Sequence, residues 1–221
     1  MLFADLIKDN QKIWDEYLHH DFVKKLEDKS LKKENFLFYL KQDYIYLLNY
    51  AKCYARLALN SNTAKELRFA MKFQNYIVEG EMELHREILA LGIEADKLSV
   101  KDESLINIAY SRYMLSVGEK GDFLDMLVAL SACAIGYAKI GMEISSRLKE
   151  QDLKNHPYKE WILTYGSENF QNEAKEFEDF VDSYTSSVNA QKFQKLSEIF
   201  HTVTRLEVAF WEHSLKMELN L

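Results

Sequence analysis

Residues Phe123–Arg147 read FLDMLVALSACAIGYAKIGMEISSR, and the fold turns on how they are read. The centre, Met126–Ala138, is the longest stretch of the chain without a charge. Apolar and small residues fill nearly every position, the pattern of a helix covered on all sides rather than along one stripe. Cys133 and Tyr137 stand four residues apart, hence on one face, one turn above the other. Ala129, Ser131, Ala132, Ala134 and Gly136 leave room beside that pair. Two readings follow: a pocket wall bearing a thiol and a phenol, or a Cys133 that acts as a small hydrophobe in tight helix packing, as buried free cysteines often do.

Outward from this helix, punctuation is sparse. The 221 residues contain one proline, Pro157, and seven glycines, none before Gly80. Periodic sequence with so few breakers predicts long helices. At 48% hydrophobic and 29% charged the composition is that of an ordinary soluble globular protein. The formal net charge of −7 is spread along the chain, without the basic stripe that binds nucleic acid. Asp5 and Lys8 come too early for a signal peptide, and Met126–Ala138 is shorter than the roughly 20 apolar residues that span a bilayer. With only Cys53 and Cys133, far apart, reduced thiols in a cytoplasmic protein are expected, with no membrane and no nucleic-acid partner.

In chain order, residues 3–18 are predicted as one amphipathic helix, with Leu6, Ile7, Ile13, Trp14 and Tyr17 on one face. A break at His19-His20-Asp21 leads into a short helix through Leu26, and Asp28-Lys29-Ser30 is a polar link. Residues 33–60 form a long helix on which Tyr39, Asp43, Tyr46 and Tyr50 make one stripe. Asp43 lies either at the stripe's solvent edge or buried with a partner, because a bare buried charge is costly. Thr63 caps a helix over 64–91 closed by Gly92, in which Glu81 and His85 form either a metal pair or a solvated pair. A helix over Lys101–Val117 ends at Gly118, with Ile106, Tyr110, Tyr113 and Val117 on one face, and Glu119-Lys120-Gly121 links it to the central helix. Gln151–Pro157 is a loop, Pro157 opens a short helix ending near Tyr165-Gly166, Ser167 starts another to about Tyr184, and the last runs from Asn189 to Met217. In that last helix Glu207 interrupts an apolar stripe of Phe200, Val203, Phe210 and Trp211. No repeat, linker or strand pattern is present, so the expectation is a single all-α domain, a multi-helix bundle over residues 1–221.

Cys133 with Tyr137, Asp43 among tyrosines and Glu207 among aromatics are three anomalies on three helices. If those faces turn inward, the set suits addition of a thiolate to a protonated, electron-poor heteroaromatic ring. A carboxyl in apolar surroundings donates a proton near neutrality, a second carboxylate accepts from an amino group, and tyrosine faces sandwich a flat ring. Neither a Walker motif nor GxGxxG is present, and no histidine stands at helical spacing from Cys133. One Glu-x-x-His, Glu16 to His19, keeps a metal-oxidase alternative open, although di-iron bundles use two.

Five phrases in order and register carry a resemblance: FLFYLKQDYIYLLNYAK (residues 36–52), YSRYMLS (110–116), Cys133-x-x-x-Tyr137 followed by IGMEI, WILTYGSENF (161–170) and LEVAFWEHSL (206–215). From about Phe3 to Leu215 the chain resembles the TenA family of aminopyrimidine aminohydrolases, thiaminase II. The resemblance implies a haem-oxygenase-like fold without haem, no cofactor and no metal, and a homotetramer. It implies hydrolysis of 4-amino-5-aminomethyl-2-methylpyrimidine to the hydroxymethylpyrimidine plus ammonia, and cleavage of thiamine. By position, Cys133 matches the nucleophile, Glu207 the proton donor, Asp43 the carboxylate on the amidine edge and Tyr46 the phenol that raises thiol nucleophilicity. Tyr110, Tyr137, Tyr165 and Phe210 match the pocket lining. The chain departs from the family at Asp21, Ala132 and Ala134-Ile135-Gly136, where proline, proline and aromatic residues are common. The last departure makes the wall beside the thiol less bulky, which leaves room for a second expectation: a non-catalytic pyrimidine-binding or regulatory protein on the same fold.

Overall fold

The computed structural model describes residues 1–82, 98 and 100–220, and among these residues there are helices, turns and no strand. The helices are α1 (Leu2–Asp9), α2 (Gln11–Leu18), α3 (Asp21–Glu27), α4 (Lys33–Leu59), α5 (Ala64–Tyr76), α6 (Leu105–Lys120), α7 (Phe123–Arg147), α8 (Glu150–Leu153), α9 (Lys159–Tyr165), α10 (Glu168–Asp182) and α11 (Ala190–Lys216). A π-helical turn continues α5 over Ile77–Glu81, and 3₁₀ turns occupy Val100–Asp102 and Thr185–Ser187. The chain forms two compact units, Met1–Leu31 with Val128–Trp211, and Lys32–Leu127 with Glu212–Leu221.

The first unit is held by aromatic packing. Phe3, Trp14 and Phe200 meet with ring centroids 5.4–6.1 Å apart. Trp211 stacks on Phe22 at 4.8 Å. Two glycines of α7 permit close approaches: a Cβ at Gly136 would lie 2.2 Å from the Tyr17 ring, and one at Gly141 would lie 2.4 Å from the backbone carbon of Tyr165. Gln171 Nε2 donates to the carbonyls of Ala138 and Tyr165, each at 2.8 Å, tying α10 to α7 and α9.

In the second unit α4 packs on α5 and α6. Tyr46, Tyr50, Tyr54 and Phe73 form a ladder with successive centroids 5.3, 5.1 and 6.0 Å apart. Thr63 caps α5 as expected: its hydroxyl accepts from Glu66 N at 3.2 Å and Glu66 Oε2 accepts from Thr63 N at 2.9 Å, a reciprocal capping box. Ser104 caps α6 and Ser167 caps α10.

Several boundaries differ from the periodicity reading, each for a local reason. Residues 3–18 are two helices, because Asn10 turns its buried amide to Leu6 O (3.0 Å) and Ser197 Oγ (2.9 Å) and leaves helical geometry. A helical turn, α8, replaces part of the expected 151–157 loop, and α9 starts at Lys159, beyond Pro157. α6 continues through Gly118, whose missing side chain admits Arg56 Cγ and Met126 Sδ, and ends at Gly121. The buried face of α6 is Asn107, Tyr110, Ser111, Met114 and Gly118, rotated from the expected face of Ile106, Tyr110, Tyr113 and Val117. His85 and Gly92, which entered the reading of residues 64–91, lie outside the described residues.

α7 is long and apolar enough to cross a membrane by length and composition, yet 83% of its apolar window is buried within the protein. It is the core helix that its sequence predicts.

Candidate functional site

Up to Ala138 the central helix opens at one place. From Phe123 to Ala138 every residue of α7 is buried except Cys133 and Ala134, which are half-buried. The second thiol, Cys53 on α4, is fully enclosed, and burial pushes it up to about 12 against the smaller opposing pull of Arg112 and Lys52. A thiol that stays protonated is a poor nucleophile, and of the two cysteines only Cys133 is not enclosed.

In the unit that holds Cys133, four of the other expected residues are buried. Tyr137 and Tyr165 are in ring contact at 5.0 Å, and Trp161 approaches Tyr165 at 4.6 Å. Tyr137 also meets Trp211 at 5.3 Å, next in sequence to the buried Phe210. Glu207 is 2% exposed on α11, between turns that carry Val203 and Phe210. The aromatic interruption read in the sequence is therefore a buried acid.

In the other unit, Asp43 is 3% exposed and its Oδ2 accepts the Tyr39 phenol at 2.9 Å. This settles the two readings of Asp43: it is inside and hydrogen-bonded, not at a solvent edge. Tyr46 packs its ring on Tyr110 at 5.0 Å and directs its hydroxyl to Met114 Sδ at 4.0 Å. Cys133, Tyr137, Tyr165, Glu207 and Phe210 thus belong to one unit, and Asp43, Tyr46 and Tyr110 to the other.

Sequence reading passed over Gln42, Met114 and Trp161. Trp161 sits in a quoted phrase, yet nothing in its spacing gives it a role. Gln42 was hidden as a polar residue beside a more conspicuous aspartate.

Among the described residues no cluster of three or more His, Cys, Asp or Glu side chains is arranged to hold a metal. His19, half of the Glu-x-x-His pattern, instead faces the Asp15 carbonyl through Nδ1 at 3.0 Å and Glu143 through Nε2 at 3.4 Å.

The model of the TENA/THI-4/PQQC family matches residues 7–217. An aminopyrimidine aminohydrolase of Halalkalibacterium halodurans is 34% identical over 211 residues, which cover 95% of this chain and 93% of that protein. A crystal structure described as a TenA family transcription regulator from Silicibacter sp. TM1040 is similar with a TM-score of 0.85 and 32% identity, over 97% of this chain and 96% of that one. A domain with a heme oxygenase-like fold from Shewanella denitrificans is 14% identical with a TM-score of 0.74, over 97% of this chain and 92% of that one, a likeness of fold alone. The fold is thus all-α and of the haem-oxygenase-like type, and with a match that runs nearly end to end the chain belongs to the TENA/THI-4/PQQC family.

Proposed function

We propose that this protein is an aminopyrimidine aminohydrolase that works through the Cys133 thiolate. The observation that carries the reading is that Cys133, with its neighbour Ala134, is the one opening in the buried Phe123–Ala138 stretch of the core helix, beside the aromatic group of Tyr137 and Tyr165. The relatives named aminopyrimidine aminohydrolase support the substrate class.

In this reading each residue takes the role that the family resemblance gives it: Asp43 is the carboxylate for the amidine edge of the pyrimidine, and Tyr110, Tyr137, Tyr165 and Phe210 are ring-contacting residues. Glu207, buried on α11, gives a proton to a ring nitrogen as the thiolate adds to the ring, and Tyr46 keeps the role that the family resemblance gives it. The exocyclic amine, protonated as its ammonium, leaves as ammonia, and water adds at the methylene carbon and gives its spare proton back to Glu207. The thiolate then departs to release the product with its ring nitrogen still protonated, so that one water is consumed for each ammonia released. Thiamine enters the same sequence with the thiazolium as leaving group. The enzyme acts in the cytoplasm as a homotetramer.

Purified protein incubated with 4-amino-5-aminomethyl-2-methylpyrimidine is expected to release ammonia and the hydroxymethyl product in equal amounts. Absence of both refutes the assignment. Light scattering that finds only monomer at micromolar concentration refutes the tetramer. A second reading, a non-catalytic pyrimidine binder, is favoured by the small Ala134 beside the thiol and is supported by tight binding without turnover.

A further inference from the structure

The polar residues buried between α4 and α6 ask for an explanation, because an apolar helix seam is cheaper to form. Gln42, Ser104 and Asn107 are each 0% exposed. Gln42 Nε2 donates to the Asp102 carbonyl at 2.7 Å, while Gln42 Oε1 accepts from Ser104 N at 2.9 Å. Asn107 Nδ2 donates to the Gln42 carbonyl at 2.8 Å, the carbonyl that the α-helical pattern pairs with the amide of Tyr46. Lys41 adds an ion pair to Asp102 at 2.9 Å. At the far end of the seam, Arg56 Nε and Asn60 Nδ2 donate to the Gly118 carbonyl at 2.9 and 2.7 Å. As many residues separate Gln42 from Arg56 on α4 as separate Ser104 from Gly118 on α6. The two helices therefore run in the same direction in a fixed register, pinned at both ends.

Between the pins lie Tyr46, Tyr110 and Met114. The rotation of α6 away from its hydrophobic face has the same origin, since the pin turns Asn107 and Ser111 inward and carries Tyr110 against Tyr46. Apolar side chains tolerate small slips of one helix on another, whereas hydrogen bonds to fixed backbone atoms do not. We infer that Gln42 is a positioning residue for the pyrimidine: its clamp on Asp102 and Ser104 sets α6 on α4 and so holds Tyr110 and Tyr46 in register beside Asp43. The inference rests on the aminopyrimidine reading given above.

The test compares wild type with Gln42→Ala, Gln42→Glu and a control, Asn10→Ala, which removes a buried amide of the other unit that touches none of the proposed site residues. All are assayed well below their melting temperatures. Measured are affinity for the hydroxymethyl product, KM, kcat and the rate of Cys133 alkylation by iodoacetamide. Gln42→Ala is expected to weaken affinity and raise KM about tenfold, the scale of losing one or two buried hydrogen bonds, and, because the clamp also positions Tyr46, to lower kcat and the alkylation rate by about threefold or more. Asn10→Ala is expected to lose stability yet keep affinity within about twofold.

Gln42→Glu supplies the discriminating readout. Ionised, its carboxylate accepts from Ser104 N but faces the Asp102 carbonyl without a proton. Protonated, it donates and accepts as the amide does. Its affinity relative to wild type should therefore recover as pH falls from about 8 to about 5.5, a range above the ordinary glutamate value because burial opposite a carbonyl disfavours the charge. Gln42→Ala that binds like wild type, an Asn10→Ala that loses as much affinity, or a Gln42→Glu with a flat ratio overturns the positioning role. A wild type that neither binds nor converts pyrimidines removes the functional reading and this inference with it, so the two failures are distinct.

Discussion

The Tyr39 phenol donates a hydrogen bond to Asp43 Oδ2 at 2.9 Å, one turn further along α4, with both side chains enclosed. A carboxylate buried this deeply needs such donors, and the bond orients the group as well as satisfying it. Asp43→Asn replaces an acceptor-only group by one that also donates. It should weaken binding of the hydroxymethyl product about tenfold to a hundredfold, the loss of one charge-assisted bond. Tyr39→Phe keeps the charge and removes only the orienting donor, so its affinity should fall a few-fold, roughly the worth of one ordinary hydrogen bond. Calorimetric titration of both variants checks the order, and a normal affinity in Asp43→Asn dismisses that residue as the reader of the pyrimidine edge.

The two cysteines should separate by reactivity. With its thiol pushed up to about 12 by burial, Cys53 should resist iodoacetamide in the native protein while Cys133 is modified, which peptide mass mapping resolves. The same shift makes a stability prediction. Below about pH 9 the thiol is protonated folded and unfolded, so it adds no pH dependence. Between about 9 and about 12 the unfolded chain loses this proton and the native chain keeps it. Stability should then fall with rising pH, by up to about 1.4 kcal/mol per unit from this one group. The urea midpoint of Cys53→Ala should fall less steeply than that of wild type over this range, and parallel slopes would count against the buried thiol as the cause.

Gly141→Ala should disturb both stability and the ring pocket. Its new methyl would lie 2.4 Å from the backbone carbon of Tyr165, and backbone cannot swing aside as a side-chain tip can. Overpacking of this kind costs about 1–3 kcal/mol. At roughly 2–4 °C per kcal/mol for a chain of this size, a thermal scan should register it plainly. Because Tyr165 is displaced, KM should rise as well, and an unchanged melting temperature with unchanged KM contradicts the packing described.

Most of the helices were legible in the sequence because few residues interrupt them, and caps such as Thr63 and Ser167 mark their starts, whereas the helix expected from Lys101 starts only at Leu105, behind its cap Ser104. Asn10 was not legible as a break, since its preference for Leu6 O and Ser197 Oγ depends on a residue far along the chain. The face of α6 was misread for a related reason: hydrophobic periodicity cannot see that Asn107 and Ser111 are satisfied inside. Asp43 and Glu207 stood out as acids in aromatic stripes, whereas Gln42 makes its bonds to backbone atoms of Asp102 and Ser104, which no side-chain pattern encodes. Roles within the candidate site came from the family resemblance rather than from spacing.

Glu207→Gln should retain product affinity better than Asp43→Asn and lose turnover. The amide keeps the shape of a buried side chain that is 2% exposed but has no proton to give the ring at neutral pH. The expected signature is a fall in kcat of about 10²–10⁴-fold, the usual worth of a positioned general acid, with product affinity near that of wild type. A variant that loses affinity and keeps kcat reverses the roles assigned to the two acids.

Cys133→Ser under single-turnover conditions with 4-amino-5-aminomethyl-2-methylpyrimidine tests the central claim most directly, because it keeps the side chain's shape and removes only the nucleophile. A hydroxyl is a far weaker acid than a thiol whose ordinary value is about 8.5, so the account expects product binding within a few-fold of wild type and ammonia release slower by about a thousandfold or more. Ammonia release from Cys133→Ser at the wild-type rate would contradict it.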